Sequence, residues 1–132
     1  MQKRYRLKKT WQFQLVRGKG RSWVHPLLVL YALPNGLGQS RVGFSVSKRI
    51  GNAVRRNKVR RRLCEAVRLL WPRVEPGWDM VFIARSGIRG KEYGHISSAV
   101  QRLLINAHLL RDETSERDEP SDLDQRPVRE EC

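Results

Sequence analysis

Between residues 55 and 62 the chain reads RRNKVRRR, seven polar side chains with no acid among them. A guanidinium binds phosphate through a planar fork and stacks on bases, which an ammonium cannot do. Asn57 can cap a turn or hydrogen-bond a base or ribose. The chemistry this run offers is recognition of a phosphodiester backbone. Hydrolysis by protein side chains has no comparable candidate. A two-metal nuclease gathers several carboxylates in one place, whereas residues 1–111 contain only Glu65, Glu75, Asp79 and Glu92, scattered along the chain. His25, His95 and His108 show no metal-ligand spacing, Ser45 and Ser47 lack a nucleophile elbow, and the surroundings of Gly51 do not form a phosphate loop. No cofactor or metal is expected on the protein's own side chains.

Charge distribution points the same way. The 132 residues carry a formal net charge of +14, and it is unevenly placed. Residues 112–132 hold nine acids against three bases, and residues 1–111 hold twenty-four bases against four acids. A body this basic repels itself unless it meets a polyanion, and nucleic acid is the expected partner. Acidic lipid would call for a basic amphipathic helix or an anchor, and no apolar run approaches the roughly 18 residues of a membrane span. The basic N-terminus is followed by no apolar segment of the kind found in secretory signals. Cys64 and Cys132 are too few for a disulfide framework or an all-cysteine zinc site, which fits a cytoplasmic protein. Length suits one domain over 1–111. Residues 112–132, with two prolines and almost no apolar side chains, read as an acidic disordered tail, either merely solvated or a competitor for the basic surface.

The elements that must position the cations follow from periodicity. Leu7, Trp11, Phe13, Leu15 and Val16 lie near helical spacing over 7–17, a short first helix that Gly18 and Gly20 should end. Residues 21–24 can form a short strand. LLVLYAL at 27–33 is a continuous apolar run ended by Pro34-Asn35-Gly36 and reads as a buried strand. In RVGFSVS at 41–47, Val42, Phe44 and Val46 alternate with Gly43, Ser45 and Ser47, a strand with one apolar face and one face of small residues. A helix follows. At 100° per residue, Val59, Leu63, Ala66, Val67 and Leu70 fall within an arc of about 100°. Arg56 and Arg60 lie on one edge of that stripe. Asn57, Arg61 and Arg68 lie opposite it, and Arg55, Lys58 and Arg62 return on the other edge. The helix should end near Trp71, because Pro72 disfavours helical geometry before it. DMVFIAR at 79–85 is a further strand, and Tyr93, Ile96, Val100, Leu103, Ala107 and Leu110 mark a final helix. The order α-β-β-β-α-β-α predicts an α+β fold, a single-domain α-β sandwich with helices covering an open sheet. Phe13 and Tyr31 are candidate stacking residues for single-stranded RNA, though each also fits a core position. The four tryptophans read as packing residues near the ends of elements.

The segment RVGFSVSKRIGNAVRRNKVRRRLCEAV closely resembles the signature of the bacterial ribonuclease P protein component. That family carries a strand running into Val-Ser-Lys-Lys/Arg, then Gly-Asn-Ala-Val, then an Arg-Asn-Arg helix with further bases. RLKKTWQF and LLVLYAL also resemble the family, so residues 4–110 are covered and the tail is not. The resemblance implies an α-β sandwich with a left-handed β-α-β crossover, an exception to the usual handedness. It implies a partner, the catalytic RNA of ribonuclease P, and a substrate, precursor tRNA, whose 5′ leader the ribonucleoprotein removes. The catalytic centre would then lie in the RNA, which would require magnesium, with no obligate protein partner and no membrane. Carried over by position, Arg56 and Asn57 match the first two members of Arg-Asn-Arg, and Lys58 stands in the third place. Arg60 and Arg61 match the following basic pair, and Cys64 stands where a further base is often found. The resemblance implies that this helix faces the catalytic RNA, with Arg55, Arg56, Asn57, Lys58, Arg60, Arg61 and Arg62 as its contacts. Phe13, Tyr31, Lys48 and Arg49 match residues of the leader cleft, and Arg17 replaces a second aromatic there. The reading carried as an alternative is a ribosomal or translation-associated RNA-binding protein of similar fold with no cleavage role.

Overall fold

The computed structural model describes residues 2–111. The expected tail at 112–132 lies outside the described residues. The element order is α1 (Thr10–Lys19), β1 (Arg21–Val24), β2 (Leu28–Pro34), β3 (Arg41–Ser45), α2 (Ala53–Leu70), β4 (Trp78–Ala84) and α3 (Tyr93–Asn106), with short 3-10 turns between several of them. This is the order expected from the sequence. The four strands form one sheet in the order β1-β2-β4-β3. β2 is antiparallel to β1 and to β4, whereas β3 and β4 are parallel neighbours. Parallel neighbours need a crossover, and α2 supplies it.

The two sheet faces are unequally covered. Leu28, Leu30 and Ala32 of β2, Met80, Phe82 and Ala84 of β4, and Val42 of β3 turn to one face. There they meet Val59, Leu63, Ala66 and Val67 of α2 and Ile96, Ala99, Val100, Leu103 and Leu104 of α3 in the main core. Each large side chain buried there contributes roughly 1.5–3 kcal/mol. The other face carries a smaller cluster of Leu7, Val16 and Val81, with Phe13, Tyr31, Leu33 and Ile83 half-buried around it.

Several boundaries differ from expectation, each for a local reason. The first helix begins at Thr10, not at residue 7, because the backbone before it is engaged by β3. The Leu7 N–H donates to the Val42 carbonyl at 2.9 Å, and Arg6 bridges Val42 in parallel. Leu7 therefore reaches the smaller cluster from extended chain. Gln12 fixes the new start, its Oε1 accepting from the Lys8 and Lys9 N–H groups at 3.1 and 3.0 Å. The helix runs through Gly18 and stops at Gly20. β2 begins one residue late because the Leu27 N–H donates to His25 Nδ1 at 3.0 Å. Burial, aided by Arg102, lowers the His25 pKa and keeps that nitrogen an acceptor. β3 ends at Ser45, since Ser47 Oγ accepts from the Arg49 N–H and caps the turn Lys48–Ile50. The last helix closes after Asn106. His108, at φ 60°, lets the Leu109 N–H reach the Leu104 carbonyl at 2.9 Å, a Schellman-type end. Leu110 thus lies outside α3 and bridges Val74.

One polar network anchors the end of the sheet away from the Lys48 turn. Arg41 grips Asp79 through two bonds, Nε to Oδ1 at 2.9 Å and Nη2 to Oδ2 at 2.8 Å. Asn35 Nδ2 adds a bond to Oδ1 at 2.8 Å. The bonds to Asp79 hold the Arg41 pKa above its usual value. Asp79→Ala is expected to cost about 2 kcal/mol, less than a fully buried pair would, because Arg41 retains access to water. A lowered urea midpoint with an unchanged slope would show it.

Candidate nucleic-acid interface

The site is built on the end of the sheet where β3 and β4 both terminate. After Ser45 the chain turns through Lys48–Ile50, with Lys48 and Arg49 exposed and Ile50 buried. Gly51 follows at φ 143°, a conformation that disfavours other residues, and a Cβ there would lie 2.8 Å from Arg55 Cδ. Asn52 then caps α2, its side-chain oxygen accepting from the Arg55 N–H at 3.0 Å. This turn and cap fix the rotation of α2 and hence where its cations point.

The eighteen residues of α2 present three sets of polar side chains. Val59, Leu63, Ala66 and Val67 are buried on the sheet, as the stripe predicts. Arg56 and Arg60 are half-buried along one flank, and Asn57 and Arg61 are exposed on the crest. Arg60 Nη1 donates to Asn57 Oδ1 at 3.0 Å, which orients the amide and leaves its N–H groups to donate elsewhere. Arg55, Lys58 and Arg62 turn to the opposite flank, beside the turn that follows β4. Cys64 is buried in the main core and takes no part in the cationic surface. Glu65, the one acid of the helix, is engaged by Arg68 through bonds from Nε and Nη2, and this pairing raises the Arg68 pKa.

Phe13 and Tyr31 come together on the opposite face of the sheet. The register places Tyr31, Val81 and Gly43 in one row across β2, β4 and β3. The Phe13 ring lies directly over Gly43; a Cβ at position 43 would sit 2.4 Å from Phe13 Cζ. The small face of β3 thus exists to receive this ring. Arg17, one turn along α1, holds its guanidinium 5.9 Å from the centroid of the Tyr31 ring, within cation–π range. Both aromatics are half-buried against Leu7, Val16 and Val81, so they are at once core rim and available surface. The adjoining row, Val29, Ile83 and Ser45, is also half-buried. It continues the shallow apolar strip toward Lys48 and Arg49.

The sequence did not single out Val29 and Ile83, although the alternation of β2 contained the signal: Leu28, Leu30 and Ala32 point one way, and Val29, Tyr31 and Leu33 the other. One expectation is corrected. Trp11 is 59% exposed, because the ten-residue helix α1 turns Phe13 and Val16 to the sheet and Trp11 and Leu15 outward. Trp23, Trp71 and Trp78 do pack against the main core. Among the described residues no group of three or more His, Cys, Asp or Glu could hold a metal ion, and no helix is long and apolar enough to cross a membrane.

Known proteins resemble this chain in sequence and in fold. The family model described as "Ribonuclease P" matches residues 1–108. The "Ribonuclease P protein component" of Roseiflexus castenholzii is 49% identical over 117 residues, covering 88% of this chain and 96% of that protein. The protein of the same name from Clostridium botulinum (strain Eklund 17B / Type B) is 41% identical, covering 83% of this chain and 93% of that protein. Among solved structures, the RNase P protein of Staphylococcus aureus superposes with a TM-score of 0.76 at 31% identity, over 81% of this chain and 98% of that one. The RNase P protein of Thermotoga maritima gives 0.71 at 28% identity, over 76% and 96%. These similarities run through the strand, turn and cationic helix described above, and the chain belongs to the ribonuclease P protein family.

Proposed function

We propose that this chain is the RNA-binding subunit of a ribonuclease P holoenzyme that removes the 5′ leader from precursor tRNA. In this reading the catalytic centre belongs to the RNA subunit. The observation that carries it is the acid-free polar run 55–62, fixed by the Gly51 turn and the Asn52 cap in a helix of this family. Arg56, Asn57, Arg60 and Arg61 make the main contact with the catalytic RNA, and Arg55, Lys58 and Arg62 of the same helix add to it. Phe13, Tyr31, Lys48 and Arg49 receive the single-stranded leader, the aromatics by stacking and the cations by phosphate contact. Stacking suits leaders of varied sequence, because every base has a π-face.

The chemistry asked of the protein is therefore binding and charge neutralisation. The four acids of the described residues support this division of labour. Asp79 is held by Arg41 and Asn35, Glu65 is paired with Arg68, and Glu75 and Glu92 lie on other segments. Magnesium bound by the RNA would supply the hydrolytic chemistry when present, and protein cations close to the RNA reduce the phosphate repulsion that magnesium otherwise offsets.

The test is leader-dependent binding by the reconstituted holoenzyme. Affinity should rise as the leader grows from one nucleotide to several, and only when the protein is present. An affinity independent of leader length, with protein bound to the RNA, would contradict leader recognition. Removing residues 112–132 should leave melting and cleavage unchanged and raise nonspecific RNA affinity slightly at low salt, where screening is weak. Lost cleavage by the truncated chain would make the tail part of the working domain.

A further inference from the structure

We infer that the outward crest of α1 is a second stacking site for the leader, with Trp11 as its platform, and that it takes the distal bases of a leader too long for the cleft. This inference rests on the leader-binding role proposed above. α1 is apolar on two opposite faces. Phe13 and Val16 point to the sheet, whereas Trp11 and Leu15 stand on the far side, 59% and 40% exposed. At 100° per residue Trp11, Leu15 and Lys19 share an arc of about 80° and form one ridge along the helix. The space beside that ridge is open, since a Cβ at Gly18 would meet nothing within 4 Å. The other three tryptophans pack against the main core, so the outward setting of Trp11 is not how this fold treats its indoles in general.

Charge decides what covers the crest. α1 contains no acid, Lys8 and Lys9 are exposed immediately before it, and Arg17 and Lys19 lie in its last turn. A second copy of this chain would bring the same cations on a body of twenty-four bases and four acids, and would be repelled. Single-stranded RNA complements both parts of the surface, with phosphates for the lysines and a π-face for the indole. The leader is the strand already beside this helix. α1 crosses the sheet from Phe13, over Gly43 of β3, to Arg17, near Tyr31 of β2, and so lies next to the strip of Val29, Ile83 and Ser45. A leader that outruns the strip reaches the crest by climbing one helix, about 10–12 Å across. Phe13 then meets the bases nearer the tRNA, and Trp11 those farther out.

The test is precursor binding by the reconstituted holoenzyme, with leaders of a single nucleotide, of several, and of about ten. Affinity should rise twice, first as the cleft fills and again with the longest leader. Trp11→Ala should weaken binding of the longest leader by about 5- to 150-fold, the range for loss of one stacked base, and leave the shorter two unchanged. Trp11→Phe, which keeps a ring, should retain most of the second rise. Lys19→Ala should make the salt slope shallower by roughly 0.7, and only for the longest leader. Trp11 and Lys19 are exposed, so these variants should melt as the parent chain does. If Trp11→Ala matches the parent at every leader length while the first rise remains, the crest is overturned and the functional reading stands. If leader length changes nothing even in the parent, the leader reading falls and takes the crest with it. If Trp11→Ala weakens binding of the catalytic RNA, or alters self-association, and spares the second rise, the crest serves another partner and its assignment to the leader is wrong.

Discussion

Replacing Arg60 and Arg61 together with alanine should weaken binding to ribonuclease P RNA by about 10- to 100-fold near 0.1 M salt, the loss expected for two charge-assisted contacts. The salt dependence should become shallower by roughly 1.4–1.8, since each neutralised phosphate contributes roughly 0.7–0.9 to the slope. The fold should survive. Arg61 is exposed and Arg60 is half-buried at the edge of the stripe, and surface substitutions of this kind usually stay within about 0.5 kcal/mol. Arg60→Ala also frees Asn57 from its 3.0 Å bond, so part of the loss would come from an amide no longer held toward the RNA. The double variant Arg60→Lys/Arg61→Lys, which keeps the charge and loses the fork, separates these contributions: it should keep most of the salt slope and lose part of the affinity. Unchanged RNA affinity in the alanine double variant would remove the α2 crest from the interface.

Phe13→Ala should weaken holoenzyme binding of a precursor with a leader of several nucleotides by about 5- to 150-fold, the range for loss of one stacked base. Binding of mature tRNA, and of a precursor with a single leader nucleotide, should barely change. The ring is also half-buried over Gly43 and beside Val81, so its truncation leaves a gap and lowers stability as well. A complementary variant keeps the ring and moves it. Gly43→Ala places a methyl group 2.4 Å from Phe13 Cζ, and the ring must shift because the strand backbone cannot. Both variants should lose leader-dependent affinity at temperatures where melting shows them folded. Equal loss for all three ligands would make Phe13 a core residue only.

The parts of this molecule that could be read from its sequence are those governed by local rules. The helical stripe of α2 and its cationic flanks follow from residue spacing alone, and Pro72 marks where the helix gives way to a 3-10 turn. The alternation of residues 41–47 showed that β3 has a small face. It could not show that Phe13, thirty residues earlier, fills it, because that depends on α1 packing across a β2-β4-β3 register set by tertiary structure. Leu7 illustrates the same limit. Its spacing from Trp11 fits a helix, yet its N–H is taken by Val42, and a long-range strand contact overrides local periodicity. The assignment of Phe13, Tyr31, Lys48 and Arg49 to a leader cleft came from family resemblance. What the structure adds is their setting: two half-buried rings on one sheet row and two exposed cations at the end of β3.

The central claim is that this protein supplies binding and charge while an RNA supplies the chemistry. The direct measurement is single-turnover cleavage of precursor tRNA at low magnesium with three samples: nuclease-free protein alone, bacterial ribonuclease P RNA alone, and the two reconstituted. Cleavage at the 5′ end of the mature tRNA by the reconstituted sample only, with RNA alone recovering activity as magnesium is raised, is the predicted result. Cleavage by the protein without RNA, or a reconstituted sample no better than RNA alone at low magnesium, would contradict the account.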